Sequence, residues 1–481
     1  MKRLVLLLIL AGVLSPAPAA VHHVTPVGPK GASADAITAA VDAAADGDVI
    51  LVAPGTYTGR VRLRRQFGTP VTLRSEVPYQ ARLRGDAGAA LIAFTARNVI
   101  VEGFDIAHTP GNSGGLVVQI QDLLGDVNGS DDGTDPVVGG IVLRNNVIHD
   151  STNNDLLKIN NGAEGILVEG NLFYDQAGSD EHIDTNSIVD VTIQDNVFFN
   201  TRDAGTSSFI VIKDSNGDDD TVLGARDVVV RRNVFLNWQG NDGQGFVRVG
   251  EDGTPNFEAE DVLVENNLFL GNATDLMRAP FTVQGSRDVI FRNNTLSGDM
   301  PARSFGGRFL AVGANRPNEA LVLTGNIYSD PTGTLGSEAF NGVDLFDAPA
   351  GDTSSATLSG NLYFNGGNPI PSDAGQAVRF ADDPAPTVGD PLLPALTGVV
   401  LPTWDGNQFA DGSASIRAAF VTLVEAFGVP GADSPALDAA DPVLAATDDI
   451  LGRPRGNRPD LGAWEQPESE DIVFADGFEA R

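Results

Sequence analysis

The sequence predicts an all-β solenoid of stacked coils, on three observations. Eight short runs share one pattern: apolar-x-apolar, two mostly polar residues, Asn, then an apolar or aromatic pair. They are centred on Asn146, Asn171, Asn196, Asn233, Asn267, Asn294, Asn326 and Asn361. The intervals between these asparagines are 25, 25, 37, 34, 27, 32 and 35 residues, a short period with insertions, as stacking units require. Between Val71 and Phe364 the chain consists of short β-branched or aromatic runs broken by Gly, Asn and Asp.

The N-terminus reads as an export signal. Met1-Lys2-Arg3 precedes an apolar run over residues 4–14 and then Ala17-Pro18-Ala19, so residues 1–19 form a cleavable signal peptide. Eleven apolar residues are too few to span a bilayer, and no other stretch is long enough. The expected location is outside the cytoplasm: secreted, at the cell surface or in the periplasm of a bacterium.

Residues 20–373 are expected to form the solenoid with its N-terminal cap. Ala36, Ile37, Ala40, Val41 and Ala44 have helical spacing, residues 47–52 read as a strand, and Pro54-Gly55-Thr56-Tyr57 as a turn. A helix ahead of the first coil would cover the open end of the stack, whose strand groups are otherwise unpaired. Residues 98–106 look like a further copy with Phe104 in the Asn slot, and residues 109–138 like an inserted loop.

The repeated Asn has a structural account. Asparagines at one turn of successive coils can stack, bond the neighbouring coil's backbone and tolerate the left-handed conformation of a sharp corner. The Phe or Leu after it fills the interior. From Ala374 the pattern changes. Residues 374–468 read as a closing segment with a helix over 414–427 and the run Arg453-Pro-Arg-Gly-Asn-Arg-Pro-Asp-Leu-Gly-Ala-Trp-Glu465, and residues 469–481 as a tail.

These features resemble the right-handed parallel β-helix of the pectin-lyase-like superfamily, over residues 33–364. The run 453–465 is similar to the RPxGxxxDxGAxE closing segment of secreted bacterial β-helix proteins, and residues 472–479 to a C-terminal tail of some exported proteins. The resemblance implies the fold. Lyases, hydrolases, epimerases, adhesins and phage spikes all use it, so function must come from the site.

The formal charge is −33, and losing Lys2 and Arg3 with the signal peptide makes it −35. That excludes nucleic acid and anionic membrane surfaces as partners. It also repels an acidic polysaccharide unless cations intervene. The chain has no Cys, so neither disulfides nor thiolate metal sites arise.

Lysine usage singles out one region. There are four Lys against 27 Arg, and after Lys2 and Lys30 the remaining two are Lys158 and Lys213, in Leu-Lys158-Ile-Asn and Ile-Lys213-Asp-Ser. A lysine can act as a base if burial or a nearby cation lowers its pKa. Between them lie His182, a candidate for a catalytic role, and an oxygen-rich set, Asp180, Glu181 and Asp184, with Asp155, Asp175 and Asp203 on neighbouring turns. Asp155 and Asp180 are 25 residues apart and should stack. Stacked carboxylates need a proton or a cation, and hard oxygen ligands suggest Ca²⁺. Asp155, Asp180, Glu181 and Asp184 are therefore the expected metal ligands.

The run from Asp180 to Phe198 is also similar to the pectate-lyase segment DGxIDVxxGSxxVTISxNxF, which implies a calcium-ligand role for Asp184. No RxPxxR segment supplies that family's arginine. A lysine on such coils resembles instead the alginate- and chondroitin-type lyases that use Lys as base with Arg as helper. Arg248 and Arg202 are the candidates to hold a substrate carboxylate. Counting forward from each Asn places Lys158, Ile183, Ser208 and Gly245 in one column, leaving Lys213 and Arg248 outside it. The Asp-x-Asn-Gly-x-Asp-Asp runs at 126–132 and 214–220 lack the Gly and Glu of an EF-hand loop and read as Asx-rich turns. Asp218, Asp219 and Asp220 lack the Gly-His-Gly that a polygalacturonase reading would need.

The expectation is a monomeric, Ca²⁺-assisted polysaccharide lyase acting on a uronate polymer, with Lys158 or Lys213 as base. The alternatives are a non-catalytic secreted or surface β-helix that binds glycans or a partner, and a C5-epimerase.

Overall fold

The structure, a computed structural model, describes residues 19–26, 32–121, 137–178, 181–202, 206–214, 222–236, 245–271, 278–298, 306–335 and 344–467. The expected signal peptide and tail, Asp180, Asp203 and the two Asx-rich runs fall wholly or largely outside these residues.

The chain winds into a right-handed parallel β-helix. Among the described residues, three all-parallel sheets of 12, 13 and 10 strands run along it. One coil gives Gly139–Arg144 to the first sheet, Val147–Ser151 to the second and Leu157–Asn160 to the third; the next gives Glu164–Glu169, Leu172–Gln176 and Ile183–Asn186. Alternation sets the faces: in Glu164–Glu169, Ile166 and Val168 point inward and are buried, while Leu167 and Glu169 are only partly covered. The interior carries a column of stacked rings, Phe173, Phe198, Phe235 and Phe269, 4.8–5.0 Å apart, which is the coil rise itself.

The eight asparagines form one buried ladder. The Asn146 N–H and Nδ2 both donate to Asn171 Oδ1 (2.9 and 3.1 Å), and the Asn171 Nδ2 donates to the Leu143 carbonyl of the coil before (2.9 Å). The pattern continues to Asn361. It begins on the Phe104 N–H, which donates to Asn146 Oδ1, as expected for a residue in the Asn slot. It ends on the buried Asp383, whose carboxylate accepts from the Asn361 N–H and Nδ2 and from the Tyr363 hydroxyl. The left-handed conformation falls one residue earlier than expected. Asn145, Gly170, Asp195, Arg232, Asn266, Asn293, Gly325 and Gly360 have φ between +50° and +66°.

Both ends are covered. Helix α1 (Ala34–Ala43) is capped by Ser33 and buries Ile37 and Val41. Residues 54–57, expected to be a turn, contribute to the second-sheet strand Gly55–Thr58. At the far end the chain after Phe364 returns over the last coil, with Phe380 4.9 Å from the Tyr363 ring, while helix α2 (Ile416–Phe427) buries Ile416, Phe420 and Phe427 on the outer face of the second sheet beside the middle coils. The run 453–465 is its clasp. The buried Arg455 guanidinium donates to the Asp448, Asp460 and Gly462 carbonyls, to Glu465 and to Asn266, while Arg453 lies 4.1 Å over the Trp464 ring. The outer face of the second sheet is thus partly covered by the closing segment, and the candidate residues stand on the third.

Candidate functional site

The site is built on the third sheet, whose strands here are Val118–Gln121, Leu157–Asn160, Ile183–Asn186, Ile210–Lys213 and Val247–Val249. The first lies inside the stretch expected to be an inserted loop. Its Val118 and Ile120 are buried on the inner face, and it aligns Gln119 with Lys158.

Register brings the predicted residues together differently from the count along the chain. Lys158 pairs with Asp184, Asp184 with Val211, and Val211 with Arg248. Arg248 therefore shares the Lys158 column, contrary to expectation. Lys213 stands two positions further along the strand, in the column of Asn160 and Asn186. The reason lies in the turns. Coils that repeat every 25 residues at the Asn ladder repeat every 26 from Leu157 to Ile183 and every 27 from Ile183 to Ile210, because the turns before Ile183 and Ile210 are longer by one and by two residues. One residue moves a side chain to the other face. For the same reason it is Glu181 that meets Asp155: the Glu181 N–H donates to Asp155 Oδ1 (3.0 Å).

Three carboxylates converge. Asp155, Glu181 and Asp184 are all buried, and one oxygen from each lies within 4.8 Å of the others. A cation about 2.4 Å from each oxygen spans that spacing. Asp184 Oδ1 is buried without a hydrogen-bond partner among the described residues, an acceptor left for a ligand from outside the chain. Burial, with Asp155 and Asp184 beside it, pushes the Glu181 carboxyl well above the usual range. The all-oxygen, crowded donor set fits a hard divalent cation.

Each cation of the face has a carboxylate partner. Lys158 Nζ lies 2.5 Å from Asp184 Oδ2 and 4.0 Å from Asp155 Oδ2. Lys213 Nζ lies 2.6 Å from Glu251 Oε2 and 3.6 Å from Asp252 Oδ1. Arg248 pairs with Glu251 and donates twice to Gln284 Oε1 (3.1 and 2.7 Å). Burial pulls both lysines down, but their carboxylates outweigh it: Lys158 is raised by Asp184 and Asp155, Lys213 by Asp184, Glu251 and Asp252. Neither lysine has the lowered pKa that the sequence suggested.

Two candidates stand elsewhere. His182 occupies the interior position taken by Phe209 on the next coil, 4.6 Å from that ring. Neither of its nitrogens has a partner among the described residues, and burial lowers its pKa to about 3. Arg202 pairs with Asp150 and donates to the Ser151 carbonyl, beside the second sheet. Sequence reasoning missed Glu251, Asp252 and Gln284. The signal was present: Glu251-Asp252 follows the strand of Arg248 by two residues.

No family model matches the chain, and no curated protein matches it. Solved structures do match. The chain is similar to the pectate lyase Pel9A, with 13% identity, a TM-score of 0.53 and coverage of 94% of this chain and 97% of that one. It is also similar to an alginate lyase from Paenibacillus sp. str. FPU-7 (15% identity, TM-score 0.38, 65% and 94% covered) and to PfbA, a surface adhesin of Streptococcus pneumoniae (12%, 0.41, 71% and 88%). At such identities the likeness is one of fold, the right-handed parallel β-helix.

Proposed function

We propose that this chain is an exported, carbohydrate-active β-helix, and specifically a Ca²⁺-assisted polysaccharide lyase acting on a uronate-containing polymer. The supporting observation is the buried Asp155–Glu181–Asp184 set beside two lysines and an arginine on one sheet face. Likeness to the pectate lyase Pel9A is in keeping with this.

Asp155, Glu181 and Asp184, with Asp180, would hold the ion. Its charge against a uronate carboxylate would make the C5 proton more acidic and offset the repulsion between a polyanion and a protein of charge −33. Lys158 contacts two of these carboxylates, so its ammonium competes with the ion and serves as the triad's own counter-ion. Lys213 pairs instead with Glu251 and Asp252 and is assigned the base. It takes the C5 proton; that electron pair forms the C4=C5 double bond as the C4–O bond breaks, and the leaving oxygen takes a proton from water. Arg248 holds the carboxylate by its guanidinium after exchanging Gln284 or Glu251 for it.

The pairing of Lys158, Lys213 and Arg248 with the protein's own carboxylates favours a second reading, a non-catalytic β-helix that binds glycans. Calorimetric Ca²⁺ titration combined with absorbance of unsaturated product separates the two. Ca²⁺ binding with turnover supports the lyase; binding of oligosaccharide with no turnover on any polyuronate supports the binding protein.

A further inference from the structure

Glu258 is fully buried, yet it is a carboxylate on the turn that follows the site. Its Oε2 accepts the N–H groups of Glu251 and Asp252 (both 3.1 Å), and its Oε1 those of Gly253 (2.5 Å) and Thr254 (3.3 Å). Asn315 Nδ2, on a later coil, adds a fifth donor at 2.9 Å and also donates to the Thr254 carbonyl (3.1 Å). A buried charge is costly unless its lone pairs are all used, and here they are. Four consecutive backbone donors on one carboxylate leave residues 251–254 little freedom.

That loop carries the two carboxylates of the lysine. Glu251 Oε2 is 2.6 Å from Lys213 Nζ, Asp252 Oδ1 is 3.6 Å from it, and Glu251 also pairs with Arg248. We propose that Glu258 is a positioning residue: it fixes the 251–254 loop so that Glu251 and Asp252 hold the Lys213 ammonium and Glu251 orients Arg248. This rests on the lyase reading only for its effect on turnover. The clamp itself is a property of the free protein.

The test uses the full chain with lysine-selective ¹³C labelling. With four lysines in the sequence, Lys213 is assigned by comparison with Lys213→Arg. In the wild type Asp184 on the neighbouring coil, together with Glu251 and Asp252, holds Lys213 charged, so its ¹³Cε resonance should stay at the ammonium position between about pH 8 and 11. In Glu258→Gln one acceptor becomes a donor facing backbone N–H groups, the loop is released, and the Lys213 titration moves to lower pH with Asp184 left as its neighbouring carboxylate, while Lys158, paired with Asp184 and Asp155, stays at the ammonium position. If the protein turns over a polyuronate, kcat/KM also falls, by up to about a hundredfold for an ångström-scale displacement, and its alkaline rise moves to lower pH. Should Glu258→Gln not fold, Asn315→Ala removes one donor to Glu258 Oε1 and should shift Lys213 in the same direction by less. A folded Glu258→Gln in which Lys213 is unmoved overturns the proposal, whether or not the protein proves to be a lyase.

Discussion

Lys158 Nζ lies 2.5 Å from Asp184 Oδ2, its cross-strand partner on the next coil, and Arg248 stands two coils further along the same column. On the calcium reading proposed above, an ammonium and a metal ion would contend for the same carboxylates. Lys158→Met should bind Ca²⁺ more tightly, by about tenfold if the lost competition is worth about 1.4 kcal/mol. It should also melt lower than the wild type in chelator. Calorimetry and thermal melts with and without Ca²⁺ read both; unchanged or weaker Ca²⁺ binding counts against the competition.

Lys213 is raised above the ordinary lysine value, although burial alone would lower it. A base must be neutral to accept a proton, so kcat/KM should climb with pH through the neutral range and above it. Lys213→Ala should remove turnover while leaving Ca²⁺ binding within about twofold. A profile that peaks near neutral pH and falls above it would remove Lys213 from the role.

The Asn ladder should be the main stability device of the corner. Asn233 accepts from the Asn196 N–H and Nδ2, and its own Nδ2 donates to the Ile193 carbonyl and to Asn267 Oδ1. Asn233→Ala strands buried donors on Asn196 and should cost about 2–4 kcal/mol, read as a lower denaturation midpoint. A loss below about 0.5 kcal/mol would mean that water replaces the ladder.

Acid should weaken the second sheet through Asp105. Burial raises its carboxyl, but bonds from His149 (2.9 Å) and Arg84 (2.7 Å) outweigh it and hold the pKa at about 2, below the ordinary aspartate value. A depressed carboxyl stabilises the fold above its unfolded pKa, and that stability is lost as pH falls from about 4 to 2. The contribution is about 2 kcal/mol. Asp105→Asn should be less stable at neutral pH, with a flatter decline between pH 4 and 2 in denaturant titrations.

Much of this architecture is legible in the sequence because it repeats. The Asn marks predict the ladder, helical spacing finds α1 and α2, and Phe104 takes the Asn slot as read. The site is less legible because register depends on turn length. One extra residue before Ile183 brings Glu181 to Asp155, and two more before Ile210 put Arg248 in the Lys158 column. Nothing in the composition of residues 109–138 distinguishes the strand Val118–Gln121 from the loop around it. Glu258 reads in sequence as one more acidic residue, since its value lies in four backbone N–H groups that only the folded loop presents.

The central claim is best tested by ultraviolet absorbance of unsaturated product. The chain from residue 20 onward would be incubated with pectate, alginate and glycosaminoglycans, with Ca²⁺ and then with chelator, beside Lys213→Ala and Asp184→Asn. The account predicts a rise on at least one polymer that chelator and both substitutions abolish. No rise on any of them, with Ca²⁺ bound and the fold intact, would contradict it.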